Sequence, residues 1–68
     1  MRVSALNQLK AKVIDVRKGR TTSLNQADIG GRVLTASITN GAVDDLGLKP
    51  GKDACAVIKA SNVMVAVD

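Results

Sequence analysis

Hydrophobic and polar residues alternate along most of this chain, and the breaks in the alternation mark its turns. In LNQLKAKVIDV, Leu9, Ala11 and Val13 recur with a period of two, and the apolar positions then shift through Ile14 to Val16. A strand that changes face in mid-course does so through a bulge, so the pattern predicts one long, bent first strand from Leu6 to Val16. VRKGRTT, with Gly19 among basic residues, predicts an exposed connection into a second strand of roughly Thr21 to Ile29, weakened by Asn25 and Gln26. Gly30-Gly31 predicts a hairpin turn, after which RVLTASIT sets Leu34, Ala36 and Ile38 on one face and Thr35, Ser37 and Thr39 on the other.

The period changes at TNGAVDDLGLKPG. Asn40 is suited to an N-cap, Asp44 and Asp45 favour the positive end of a helix dipole, Val43 and Leu46 share a face, and Gly47 supplies a stop; together they predict one short helix. Lys49-Pro50-Gly51 predicts a tight turn, with Pro fixing φ and Gly tolerating a positive value. DACAVIK and NVMVAV then read as two last strands joined at Lys59 to Ser61. Five short strands with one short helix between the third and fourth predict an all-β fold, a five-stranded OB-like β-barrel. No internal repeat, low-complexity tract or linker divides residues 1–68, which read as a single domain.

Composition narrows the chemistry. A chain of 68 residues with 46% apolar and no aromatic residues must build its core from Val, Ile, Leu and Ala, and at this length it buries too little surface to be comfortably stable alone. One Cys and no His rule out an intrachain disulfide and a zinc or iron site, which leaves self-association as the expected support. The N-terminus lacks a signal-peptide pattern and no run approaches the roughly 20 apolar residues of a membrane span, so a cytoplasmic protein without membrane contact is expected. With no His, no Tyr and Cys55 set between Ala54 and Ala56 as a small core or interface residue, the usual bases and nucleophiles are nearly exhausted, and the chain is not expected to be an enzyme. Asp44 and Asp45, being adjacent, do not face each other on a helix and form no carboxylate pair.

Ten Lys+Arg against six Asp+Glu give a formal net charge of +4, which favours an anionic partner. A nucleic-acid-binding barrel is the alternative reading, with Lys10, Lys12, Arg17, Lys18 and Arg20 available to phosphates. Such barrels stack bases on aromatic side chains, which this chain lacks, and alternation spreads Lys10 and Lys12 along a solvated face, so no nucleic-acid partner is expected. Small polar groups are the remaining resource. VSALNQ, SITNGA and IKASN each put hydroxyl or amide groups at a strand end or helix start, where unpaired backbone N–H groups suit an oxyanion. Taken singly, each segment reads first as a cap or a turn, and Lys59 alone reads as a solvated turn lysine.

Read together, SALNQL, LTASITNGAVDDLGLKPGK and AVIKASNVMVAV resemble the molybdate-binding molbindin family, also called Mop or TOBE domains, over nearly the whole chain. The resemblance implies a homohexamer built as a trimer of dimers, with molybdate or tungstate held between subunits by hydrogen bonds and without metal–protein bonds. It implies a non-enzymatic role in storing and buffering the oxyanion for molybdenum homeostasis. Its binding positions carry over to Ser4, Thr39 with Asn40, and Lys59, Ala60 and Ser61. The set is chemically coherent, because a tetrahedral dianion only accepts hydrogen bonds: Lys59 supplies charge, Ser4, Thr39 and Ser61 supply hydroxyls, and backbone N–H groups near Asn40 and Ala60 supply the rest. Two departures stand out. Leu6 occupies the place of a family arginine, for which Arg2 is a substitute on the same face of an extended segment. GRTTSLNQADIGG replaces a more apolar strand and is one residue shorter before RVL.

Overall fold

A long first strand organises the chain. The computed structural model describes residues 6–68. Within them β1 (Leu6–Lys18) pairs on one side with β2 (Thr22–Asp28) and on the other with β4 (Asp53–Lys59), while β2 also pairs with β3 (Val33–Thr39). The result is an antiparallel sheet in the order β3-β2-β1-β4, with α1 (Asn40–Leu46) connecting β3 to β4.

The bend expected in β1 is present. Val13 pairs with Ala27 and Asp15 with Gln26, so Ile14 is the extra residue of a bulge. Val13 is 3% exposed and Ile14 44%, and beyond the bulge Val16 returns toward the interior. The backbone fixes this point from a second direction. Val13 N–H donates to Lys52 O at 2.9 Å and Gly51 N–H donates to Val13 O at 2.7 Å, which ties the bulge to the tight turn before β4. The curved sheet turns Ala11, Val13, Leu34, Ile38, Ala54 and Ile58 toward an open apolar trough of about 640 Å³. Among the described residues Val43 of α1, 3% exposed, is the other deeply buried apolar residue.

At the β3–α1 junction the cap lies one residue earlier than expected. Thr39 ends β3 in an extended conformation, as a cap residue requires, and its Oγ1 accepts the Ala42 N–H at 3.1 Å; Asn40 is already the first helical residue. Asp44 and Asp45 therefore fall outside the first turn, and Asp44 instead meets Lys18 of β1 at 2.5 Å. Gly47, at φ 64°, closes the helix in the left-handed region, as its sequence position predicted. Leu46 does not share the burial of Val43 and is 58% exposed.

The expected five-stranded barrel is corrected by the structure to an open half-barrel with four strands among the described residues, although the helix sits between β3 and β4 as predicted. NVMVAV pairs with no strand among the described residues. Ala60–Asn62 form a single 3-10 turn closed by Val63 N–H onto Ala60 O at 3.2 Å, and the chain beyond runs on unpaired. Met64, Val65 and Val67 are 93%, 89% and 91% exposed. Alternation reports that a segment has an apolar face but not which chain that face packs against, and Met64, Val65 and Val67 find no covering surface among the described residues.

Candidate oxyanion site

The ladders decide which candidate residues share a rim of the sheet. Leu6 pairs with Lys59, so the start of β1 and the end of β4 lie together. Lys59 is still extended, at φ −63° and ψ 133°, and leads directly into the turn at Ala60–Asn62. Both Lys59 and Ser61 are exposed, and among the described residues neither side chain makes a hydrogen bond or an ion pair. Three other cations are paired with carboxylates: Lys12 with Asp53 at 3.4 Å, Arg17 with Asp15 at 3.3 Å and Lys18 with Asp44 at 2.5 Å. An uncommitted ammonium and an uncommitted hydroxyl thus stand two residues apart, with Ala60 at the first position of the turn, where backbone N–H groups lack partners inside it. Ser4 and Arg2 lie outside the described residues.

Thr39 and Asn40 occupy the other rim. Thr39 pairs with Thr22, and the neighbouring Ser23 pairs with Lys18 at the far end of β1 from Leu6. Those two ends are separated by roughly 40 Å of strand contour at 3.3 Å per residue. One chain therefore brings together Lys59, Ala60 and Ser61 but does not bring Thr39 and Asn40 to them.

The hydrogen-bonding capacity of the second group is partly spent. Thr39 Oγ1 accepts from Ala42 N–H but keeps its own proton to donate. Asn40 donates from Nδ2 to Gly19 O at 3.0 Å and Arg20 O at 3.3 Å, accepts at Oδ1 from Ser23 Oγ at 2.5 Å, and donates its backbone N–H to Thr21 O at 2.9 Å. Its side chain and main-chain N–H are occupied in holding the β1–β2 turn.

Two polar residues beneath this rim were not among the site residues expected from the sequence. Ser23 and Asn25 are 1% and 6% exposed, on the inner face of β2. Asn25 Nδ2 lies 3.4 Å from Ser23 O, while its Oδ1 has no partner among the described residues. Their signal was their spacing, since residues two apart on a strand share a face. Cys55, expected as a core or interface residue, is exposed on β4 and is not part of this chain's core. Among the described residues no three His, Cys, Asp or Glu side chains gather as metal ligands, and no helix is long and apolar enough to cross a membrane.

The chain is similar to known proteins over nearly its whole length. The TOBE domain family model matches residues 3–65. A probable molybdenum-pterin-binding protein of Haemophilus influenzae is 45% identical over 69 residues, spanning the whole of both chains. The solved structure of a molybdate-binding protein from Sporomusa ovata superposes with a TM-score of 0.93 at 36% identity, over 98% of this chain and 100% of that one. The cytoplasmic molybdate-binding protein ModG, in a form with molybdate bound, superposes with a TM-score of 0.89 at 43% identity, over 94% of this chain and 46% of its own.

Proposed function

Because the chain belongs to the TOBE domain family, we propose that it is a non-enzymatic cytoplasmic binding protein that stores and buffers molybdate, or tungstate, in a homo-oligomer. The observation that carries the reading is the rim at Lys59, where an unpaired ammonium and the Ser61 hydroxyl stand together in a chain that superposes over 98% of its length on a molybdate-binding protein. These groups donate hydrogen bonds, and a tetrahedral oxyanion only accepts them.

The assembly is a homohexamer, a trimer of dimers, with oxyanion sites between subunits. Two features support self-association: the apolar trough is open, and the apolar residues of the 63–68 segment are exposed, so each chain carries both an open trough and an unburied apolar segment. The opposite placement of the two candidate groups supports shared sites. One copy contributes Ser4, Lys59, Ala60 and Ser61, and another contributes Thr39 and the junction held by Asn40. Binding is then linked to assembly, because only the associated state presents the complete donor set.

The nucleic-acid alternative gains nothing from the structure. Of the cations it would use, Lys12, Arg17 and Lys18 already face carboxylates.

Native mass spectrometry with and without molybdate tests the proposal, because it reads assembly and bound oxyanion together. A hexamer that retains the anion is expected. A dominant monomer, or a hexamer that never carries molybdate, would overturn it.

A further inference from the structure

Ser23, 1% exposed, is as deeply buried as the apolar core residues Val13 and Val43, and it is polar. Its hydroxyl donates to Asn40 Oδ1 at 2.5 Å. With Oδ1 held as an acceptor, the Asn40 carboxamide has one orientation, which aims both Nδ2 protons at Gly19 O and Arg20 O. The Asn40 backbone N–H adds a third tie to the same turn through Thr21 O. The β1–β2 turn and the end of β3 are thereby locked together through one side chain, and Thr39 is the residue immediately before it. Thr39 Oγ1 is itself oriented by Ala42 N–H, so its proton is the group left free to donate.

We propose that Ser23 and Asn40 form a positioning pair that fixes the Thr39 hydroxyl for the oxyanion, with Asn40 acting through this clamp rather than as a side-chain ligand. The proposal rests on the reading of Thr39 as an oxyanion donor. It gives a role to the segment 20–31, where the chain departs from the family pattern: Ser23 supplies from β2 the hydrogen bond that sets Asn40. A hydroxyl buried this deeply is costly unless it is paired, and here its partner is the side chain that organises the rim.

A double-mutant cycle on molybdate affinity, run on the assembled protein, tests the pair with Ser23→Ala and Thr39→Val. Ser23→Ala removes only the hydroxyl. It is expected to weaken molybdate binding by about 5- to 10-fold in the parent chain and by less than about 2-fold when Thr39 is already Val. Chemical denaturation of the same variants supplies the contrasting readout, because a purely structural clamp lowers stability without this coupling in affinity. Equal losses of affinity in both backgrounds, or no loss in the parent, overturn the positioning role. If Thr39→Val itself leaves affinity unchanged, the assignment of Thr39 fails and the positioning role falls with it, an outcome distinct from failure of the pair alone. Should Ser23→Ala disturb assembly, Asn40→Asp takes its place in the cycle: it keeps an acceptor for Ser23 but loses the two donors to the turn, and the same coupling with Thr39→Val is expected.

Discussion

Leu6 and Lys59 stand directly opposite each other across the β1–β4 ladder. Directly opposed residues in an antiparallel pair lie on the same face, so whatever occupies position 6 is a neighbour of the lysine. The family pattern has an arginine at this position, and here the neighbour is an uncharged, half-buried leucine.

Leu6→Arg should therefore act with opposite signs in the two states of the site. Without ligand, like charges directly opposite each other cost about 0.2–1 kcal/mol. With molybdate bound, the guanidinium adds a charge-assisted donor, and affinity should rise by about 10-fold. Thermal denaturation with and without molybdate, together with calorimetry, checks both halves. A variant stabilised without ligand and indifferent to it would place the anion elsewhere.

Among the lysines, Lys59→Met should be the damaging change. Loss of a charge-assisted hydrogen bond worth about 1.5–3 kcal/mol weakens binding by about 10- to 100-fold. Ser61→Ala removes a neutral donor and should cost less. Lys10, exposed and opposite Cys55 in the middle of the ladder, should tolerate Met with little change in affinity. Molybdate titration of the three variants at constant oligomeric state reads the ordering, and Lys10→Met matching Lys59→Met would refute the site.

Removing residues 63–68 should cripple self-association while leaving the four-stranded sheet in place, because that segment pairs with no strand among the described residues. Each Val or Met side chain transferred from water into an apolar trough contributes about 1.5–3 kcal/mol, so losing several at once outweighs most of an interface. Sedimentation velocity at micromolar concentration reports the outcome. Full-size assemblies from the shortened chain would show that another surface covers the trough.

How much of this was legible in the sequence depended on how local each feature is. The bend in β1 could be read because the apolar positions themselves change face at Ile14, and the helix stop could be read because Gly47 is where a left-handed residue is needed. The cap was displaced from Asn40 to Thr39 because capping follows the backbone conformation at the strand end, which side-chain preference alone does not fix. The unpaired state of NVMVAV was hidden for a different reason: its alternation is that of a strand, whether its neighbours belong to the same chain or another. For the site, KAS was visible as one contiguous motif. Its separation from Thr39 follows from the order β3-β2-β1-β4, which no local pattern contains. Asn25, with Gln26, was read as weakening β2 because a polar residue on an inward face looks like a loop until its hydrogen bonds are known.

The placement of Thr39 and Lys59 at opposite rims has a genetic meaning. A site shared between copies can be broken from either side, and the two kinds of damage belong to different donors. Chains with Lys59→Met and chains with Thr39→Val would each form assemblies lacking one half of every site. Co-assembled at random in equal amounts, they would pair an intact Thr39 with an intact Lys59 in about one site in four. Oxyanion capacity would then be inherited by the population of chains rather than by any one of them, and two defective alleles would partly complement each other in trans.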